Sequence, residues 1–540
     1  MFTSRAKKVV NYDADALEPA DSEFLEIYAQ YSSSGWFASF FILACVPPFC
    51  VNLLDSATAA DRDIESTCLI PELINNKYWN LSALRNFTMP DAGRPCTYVT
   101  YNYSELYGKD PVDAYDWKQK VDEQEGNKLQ VKSCTKNISL QYTWHNDSQT
   151  FVYTCYGSQY RDTARHFKML TFGIGYIVFG SLSDLFGRKP LLIISMIFYG
   201  IGVVITPYVH TLYHLSTGYC MEALGGSGLL LLNYILFLEL CHKKYRSVLM
   251  VYMEASEGVA SLLGIVLKSS LQNHANLYHL FAIPSLLLLF YIYYMPESPR
   301  WYLSYGKKKK AWKLLHKWGG ILPPSTFLPE ISRNKYHILM ENLQLIFTMK
   351  KYRRTVMVIL YFKALKVTLL TNVKRFTKLK ALTPASHKFV ICISELGSYL
   401  CVLPPLYLFG KYLALYYMII CGSMCLFVSA FVKSMEHWYV LNMINAQYFN
   451  GLHIIMILYG NELLPTGVRG CSLGIIAGFG ILLGKLGSFI MNITTNQLTL
   501  QKQEMYIYCV LQVIGIIMLT ILPNVRIDEL PDWKRYRKHA

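Results

Sequence analysis

Runs of roughly twenty apolar residues recur along this chain, and no other feature constrains its fold as strongly. Inside a bilayer the backbone has no water to bond, so a crossing segment must satisfy its own N–H and C=O groups as a helix. About 20 apolar residues are long enough to cross the hydrocarbon. Twelve such stretches can be read, near 35–54, 167–186, 190–209, 212–240, 248–267, 277–295, 355–373, 389–409, 413–432, 437–460, 470–492 and 505–523. Only 16% of the 540 residues are charged and 53% are hydrophobic, against about 25% charged in an average soluble domain. The expected fold is an all-α membrane protein with twelve transmembrane helices.

The formal net charge of +16 raises nucleic acid as a partner, but the placement of the cations argues against it. They gather at span ends that would share one side: Arg188 and Lys189; Lys243, Lys244 and Arg246; Arg300 with Lys307–Lys310; Lys350, Lys351, Arg353 and Arg354; and Lys534, Arg535, Arg537 and Lys538. The short loops at 210–214 and 272–276 carry no Lys or Arg. This is a positive-inside bias. It assigns residues 1–34, the 296–354 loop and the 524–540 tail to the cytoplasm. The Lys307–Lys310 run reads first as a topology signal and second as a contact for acidic lipid heads. Residues 1–34 are polar and acidic, without the basic lead into a short apolar core that marks a cleaved signal peptide. The span at 35–54 is therefore expected to remain as a membrane helix.

The 55–166 segment is the one large excursion between early spans. It holds five N-x-[ST] sequons, at Asn80, Asn86, Asn102, Asn137 and Asn146, and elsewhere only Asn492 begins one. Five in one loop point to a glycosylated extracellular or luminal face. The loop also holds Cys68, Cys96, Cys134 and Cys155, an even number suited to two disulfides with three connectivities open. The other ten cysteines lie in or beside apolar spans and read as small buried residues. No Cys/His spacing resembles a metal site.

A shift of 223 residues lays one half of the chain on the other. Gly187 then meets Gly410, Gly228 meets Gly451, and Gly264 meets Gly487. One charged motif occurs twice in the same register: "ELCHKKYR" (239–246) and "ELLPTGVR" (462–469), each placing Glu seven residues before Arg. Two six-helix halves related by a parallel repeat, at 35–295 and 355–523, suit a carrier with its substrate site between them.

Between the second and third spans stands "GSLSDLFGRKP" (180–190). It resembles the G-x-L-x-D-x-x-G-R-K signature of the major facilitator superfamily. Gly187 permits a tight turn, and Asp184 and Arg188 can pair with neighbouring helices. The second-half counterpart "LYLFGKYL" (406–413) keeps Gly410 and Lys411 and loses the acid. With the glycosylated loop, "PESPRWYLSYGKKKKA" (296–311) and "NELLPTGVRG" (461–470), the chain is similar to the organic cation/anion/carnitine transporter family, solute carrier family 22. That resemblance implies an alternating-access carrier of small organic ions at the plasma membrane. The ligand is expected to be an organic anion or zwitterion, with an organic cation or carnitine as the alternative. A coupling ion or counter-substrate is expected beside it, and no cofactor.

The departures from that family are informative. Its usual fourth-span arginine is replaced by Met221-Glu222 before Gly225, and the charged position of the eleventh span falls on Ile481, one turn before Lys485. The seventh span carries Lys363 and Lys366, which share a helix face. A cation at membrane depth costs about 2.5–3.5 kcal/mol, so it should face a cavity or a partner. The candidate substrate-binding residues are thus Lys485, Lys363, Lys366 and Glu222. Glu222, Glu254, Glu257 and Glu395 are the acids available to neutralise the lysines. Asp184, Gly187, Arg188, Glu239, Arg246, Glu462 and Arg469 form a candidate charge latch at the inner ends of the spans. No GxSxG, HExxH or Walker A sequence is present, so an enzyme is not expected and transport should run on gradients. The rival expectation is a transport-deficient relative acting as a receptor or scaffold.

Overall fold

A computed structural model describes residues 34–59, 66–68, 97–106, 111–125, 131–133, 140–142, 157–206, 212–241, 243–270, 295–305, 307–319, 346–376, 384–432, 435–494 and 501–522, with a few single positions between them. The chain begins with α1 (Ser34–Ala59). The large excursion follows, with strands β1 (Ser66–Cys68), β2 (Thr97–Val99), β3 (Val131–Ser133) and β4 (Leu140–Tyr142) and helix α2 (Pro111–Glu125). β1 pairs antiparallel with β4, and β2 with β3. Asn102 is exposed there. The other four sequons of the excursion, and Cys96, Cys134 and Cys155, lie outside the described residues.

The helical body then runs through α3 (Gly157–Phe186), α4 (Arg188–Ile205), α5 (Leu212–Leu240) and α6 (Lys243–Ser270). The sixth expected span, 277–295, lies outside the described residues apart from Met295. Two short helices follow, α7 (Pro299–Ser304) and α8 (Lys308–Gly319), and then α9 (Lys350–Phe376), α10 (Pro384–Leu408), α11 (Gly410–Phe431), α12 (Met435–Leu463), α13 (Arg469–Thr494) and α14 (Gln501–Ile521). Six of these helices are long and apolar enough to cross a membrane: α3, α4, α5, α6, α11 and α13. The seventh expected span, anomalous for its cations, is helical throughout as α9 and extends beyond the 355–373 read from hydropathy.

The helices pack in two groups. In the first, α5 lies against α3 and α4, and α1 against α6; in the second, α9 lies against α13 and α12, and α11 against α12 and α14. The groups meet where α3 packs on α13 and α6 packs on α10. Glycine makes the first of these contacts close. A Cβ at Gly180 would stand 2.5 Å from the carbonyl oxygen of Gly470, and one at Gly474 would stand 2.4 Å from that of Tyr176. α5 is the most enclosed of the candidate spans, and Leu229, Leu232, Ile235, Leu236 and Phe237 all lie in the core. By contrast, α3 and α13 leave Phe167, Ile174, Val178, Phe479, Leu486 and Phe489 exposed, the pattern expected of helices with one face on lipid.

Candidate functional site

Two charged clusters stand between the helix groups. The first is built at the turn from α3 to α4. Gly187 holds φ at +107°, which a side chain would resist, and the chain reverses there within a single residue. Its repeat mate Gly410 holds φ at +74° at the turn into α11. Asp184, at the end of α3, is fully buried. Its carboxylate accepts hydrogen bonds from the backbone N–H groups of Gly470 (3.1 Å) and Cys471 (2.7 Å). These lie in the first turn of α13, whose N–H groups have no partner within their own helix. Asp184 therefore caps a helix of the opposite group, with its negative charge at the positive end of the helix dipole.

Arg188 joins this acid to the rest. Its Nη1 lies 3.2 Å from Asp184 Oδ1, and its Nη2 lies 3.2 Å from Glu239 Oε1. It donates further to the carbonyls of Ser183 (3.1 Å) and, across the interface, Thr466 (2.8 Å). Arg469 reaches the same Glu239 oxygen at 2.6 Å. Glu239 thus holds one guanidinium from each group, and the acid and both arginines are shut off from solvent. Burial of this kind is tolerable only when each charge is paired and hydrogen-bonded.

The repeat recurs as geometry. Arg188, Arg246 and Arg469 each donate to the carbonyl five residues earlier, that of Ser183, Cys241 and Leu464. Each spans a turn between helices and donates to a carbonyl at or just beyond the end of the preceding helix. The Arg188–Glu239 pair is mirrored at the same shift by Lys411 and Glu462, 2.6 Å apart. The mirror fails at Asp184, whose mate Tyr407 is 91% exposed. Of the other candidate latch members, Glu462 takes Lys411, and Arg246 bonds the Cys241 carbonyl. Lys411 reaches Glu462 from within its own group, as Arg188 reaches Glu239.

Residues 297–301 clamp this cluster from outside. The Glu297 carboxylate accepts from the N–H groups of Arg188 (3.0 Å), Lys189 (3.2 Å) and Ser298 (2.9 Å), so it caps α4 as Asp184 caps α13. Burial pushes its carboxyl up from the usual range, and those N–H donors and Arg188 counter the shift. Trp301 Nε1 donates to the Asp184 carbonyl at 2.9 Å, and Lys307 Nζ stands over its ring at 4.9 Å. In the sequence this segment carries the family resemblance and, at Arg300, part of the topology signal. Its signal was a Glu two residues before a Pro-initiated helix, close in type to a capping motif.

The second cluster lies along the middle of the helices. Lys363 Nζ stands 2.8 Å from His453 Nε2, and Lys363 and Lys366 lie within electrostatic reach of Glu257 on α6. Tyr234 on α5 donates to Glu257 at 2.6 Å. Lys485 stands apart from this cluster and donates to Thr371 (3.3 Å). Thr371 is eight residues beyond Lys363 on α9, about 12 Å along the helix. Glu222 does not join the lysines either. Its oxygens take Lys168 (3.2 Å) and Thr206 (2.7 Å) at the end of α3 opposite Asp184, where Lys168 also pairs with Asp55 at 2.7 Å. Gly202 lets α4 close on it, since a Cβ there would stand 2.5 Å from the Glu222 nitrogen. Glu395 has a side chain outside those described. Nothing in the sequence marks His453 or Lys168, because a lone His inside a span or a lone Lys at a span end carries no pattern.

Known proteins bear on these clusters. The family described as "Sugar (and other) transporter" matches residues 142–523. The organic cation transporter protein of Drosophila melanogaster is 25% identical over 252 residues, 46% of this chain and 43% of that one. This chain thus spans less than half the length of that relative. The beta-alanine transporter of Drosophila melanogaster is 22% identical over 86% of this chain and 80% of its own length. The steroid transmembrane transporter SLC22A24 of Rattus norvegicus is 22% identical over 72% of this chain and 74% of its own. Among solved structures, the proton:xylose symporter XylE superposes with a TM-score of 0.55 at 17% identity, over 67% of this chain and 85% of XylE. The human organic anion transporter MFSD10 superposes with a TM-score of 0.53 at 13% identity, over 89% of this chain and 98% of MFSD10. Both carry the major facilitator fold.

Proposed function

This chain belongs to the sugar (and other) transporter family, within the major facilitator superfamily, and from that premise we propose that it carries small organic ions across the plasma membrane by alternating access. It is a multi-pass membrane transporter and not an enzyme. The carrier is read as two six-helix halves, 35–295 and 355–523, with both termini and the 296–354 segment in the cytoplasm. The 55–166 excursion then lies outside, glycosylated and disulfide-linked. The favoured ligand class is an organic anion or zwitterion, held in a field supplied by Lys485, Lys363 and Lys366. The naming of one relative as a beta-alanine transporter supports that class.

The observation that carries the reading is the Asp184–Arg188–Glu239–Arg469 network, which ties the two groups together at one end. Alternating access needs two states of similar free energy. Charges that pair across the groups in one state and part in the other can set that balance. On this reading the cytoplasmic gate is shut in the present conformer, and inward opening breaks the Asp184 cap on α13 and the Glu239–Arg469 pair.

Uptake of labelled organic anions, cations and zwitterions into vesicles tests the reading. A carrier gives saturable uptake with trans-stimulation. Ligand binding without uptake would instead identify a receptor. Within the carrier reading, Lys485→Gln should weaken uptake of anions about tenfold more than that of neutral analogues, and Lys485→Arg should keep part of it. Unchanged anion affinity in Lys485→Gln would remove Lys485 from the site.

A further inference from the structure

The mid-helix cluster separates its charges by group. Glu254 and Glu257 sit one turn apart on α6, in the first group, on one face of the helix. Lys363 and Lys366 on α9 and His453 on α12 belong to the second group. Glu254 is 6% exposed, and among the described residues it makes no hydrogen bond or ion pair. It lies within electrostatic reach of Lys363, as Glu257 lies within reach of both lysines. A buried carboxylate without a partner is costly unless something else satisfies it. Glu257 keeps Tyr234 and Lys363 keeps His453, so Glu254 is the member of the cluster that such a partner would serve most.

We propose that this cluster is a bipolar binding site for a zwitterionic amino-carboxylate. The ligand's ammonium group sits on Glu254 and Glu257, and its carboxylate sits on Lys363, Lys366 and His453. This rests on the carrier reading and narrows its ligand class. Two acids facing two lysines are balanced in charge, and a net-neutral ligand preserves that balance. A lone anion leaves Glu254 unsatisfied, and a lone cation upsets the charge balance of the cluster. Only a ligand bearing both charges engages α6 and α9 together, which ties occupancy to the relative position of the two groups. Glu254 and His453 are each 6% exposed, and beside groups so buried one missing charge can change affinity by an order of magnitude.

The test uses the full-length protein in proteoliposomes. The probes are glycine, β-alanine, γ-aminobutyrate and ε-aminocaproate, with hexanoate and hexylammonium as single-charge controls. One chain length of the amino-carboxylates should compete about tenfold more tightly than either control. Glu254→Gln should erase most of that preference while leaving hexanoate affinity in place. Lys363→Gln should do the converse, sparing hexylammonium. Should Glu254→Gln fold poorly, Glu254→Asp should retain the preference with an optimum shifted toward longer probes. Protection of the wild-type protein against thermal unfolding by the best amino-carboxylate, beyond that by hexanoate, gives a readout independent of transport. Equal affinity for hexanoate and the amino-carboxylates, or an unchanged preference in Glu254→Gln, overturns the bipolar site and leaves the carrier reading intact as long as any probe is taken up. If no probe enters the vesicles and none protects the protein, the bipolar site falls, and the carrier reading falls with it only where the wider panel of organic ions also shows no uptake.

Discussion

Asp184 does its work through two backbone N–H groups that belong to another helix group, so its charge and its shape are both needed. Asp184→Asn keeps the shape. It replaces one acceptor oxygen with an NH2 group that faces donors, and it removes the charge opposing the dipole of α13. A hydrogen bond to a charged group is worth about 1.5–3 kcal/mol, so the end held shut here should open more readily. The expected result is a severalfold fall in maximal uptake per molecule at the surface, with half-saturation little changed. Normal maximal uptake at normal surface expression would remove Asp184 from the gate. Glu239 should be less tolerant. Among the described residues it alone holds two buried guanidinium groups on one oxygen, and breaking such a network by removing one member costs about 3–5 kcal/mol. Glu239→Gln is predicted to lower the unfolding temperature of the detergent-solubilised protein and its yield. Lys411→Met, whose Glu462 partner sits nearer solvent in a pair 23% exposed on the lysine side, should lower them less.

Helices α3 and α13 show how an element pair serves this gate. They come within backbone contact along Gly180, Gly470 and Gly474, and farther along at Gly173 and Gly478, where a Cβ on Gly478 would stand 2.4 Å from the Gly173 carbonyl. Such closeness places the N-terminus of α13 within reach of Asp184. Gly180→Leu must push the pair apart, because the obstructing atoms are backbone and cannot swing away. The predicted consequence is exposure of Cys471, which is buried here and whose N–H bonds Asp184. In inside-out vesicles a membrane-impermeant maleimide should label Cys471 faster in Gly180→Leu than in the wild type, with Cys471→Ser as the control. Equal labelling rates would show that the glycine contact does not hold the gate. Helix α4 offers a second test. Glu297→Ala leaves the Arg188 and Lys189 N–H groups without their acceptor, and loss of a helix cap costs about 0.5–2 kcal/mol. A matching fall in unfolding temperature is expected, smaller than that of Glu239→Gln.

At the scale of the whole molecule the two groups are held by unequal contacts. The shared motif gives each group an acid–cation pair and an arginine bonded to a helix-ending carbonyl, but among the described residues only the first group supplies an acid that caps a helix of the other. The gate is therefore asymmetric although the chain repeats. The proposed topology is checked by the excursion between α1 and α3. Glycosidase treatment of protein made in a glycosylating host should raise its gel mobility. An epitope in 55–166 should be reached in intact cells, and detection only after permeabilisation would reverse the orientation.

The sequence by itself determined the helical membrane class, the repeat, the turn at Gly187 and the membership of Asp184, Arg188, Glu239 and Arg469 in one charged region. Those features are written in local terms: apolar run length, glycine at a turn, and a motif spacing used twice. The tertiary structure decided who pairs with whom. Nothing in the residues near Asp184 says that its acceptors face Gly470 and Cys471, 286 and 287 positions away. Nor does the spacing of Glu239 and Arg246 say that Glu239 takes Arg188 and Arg469 instead. Lys363 and Lys366 were legible as intramembrane cations because charge at that depth is costly. That His453 stands against Lys363, that Glu222 is held by Lys168, and that Lys485 lies farther along α9 by Thr371 depend on which helix faces pack together. Those faces are set by glycine-permitted approach and side-chain volume across residues far apart in the chain.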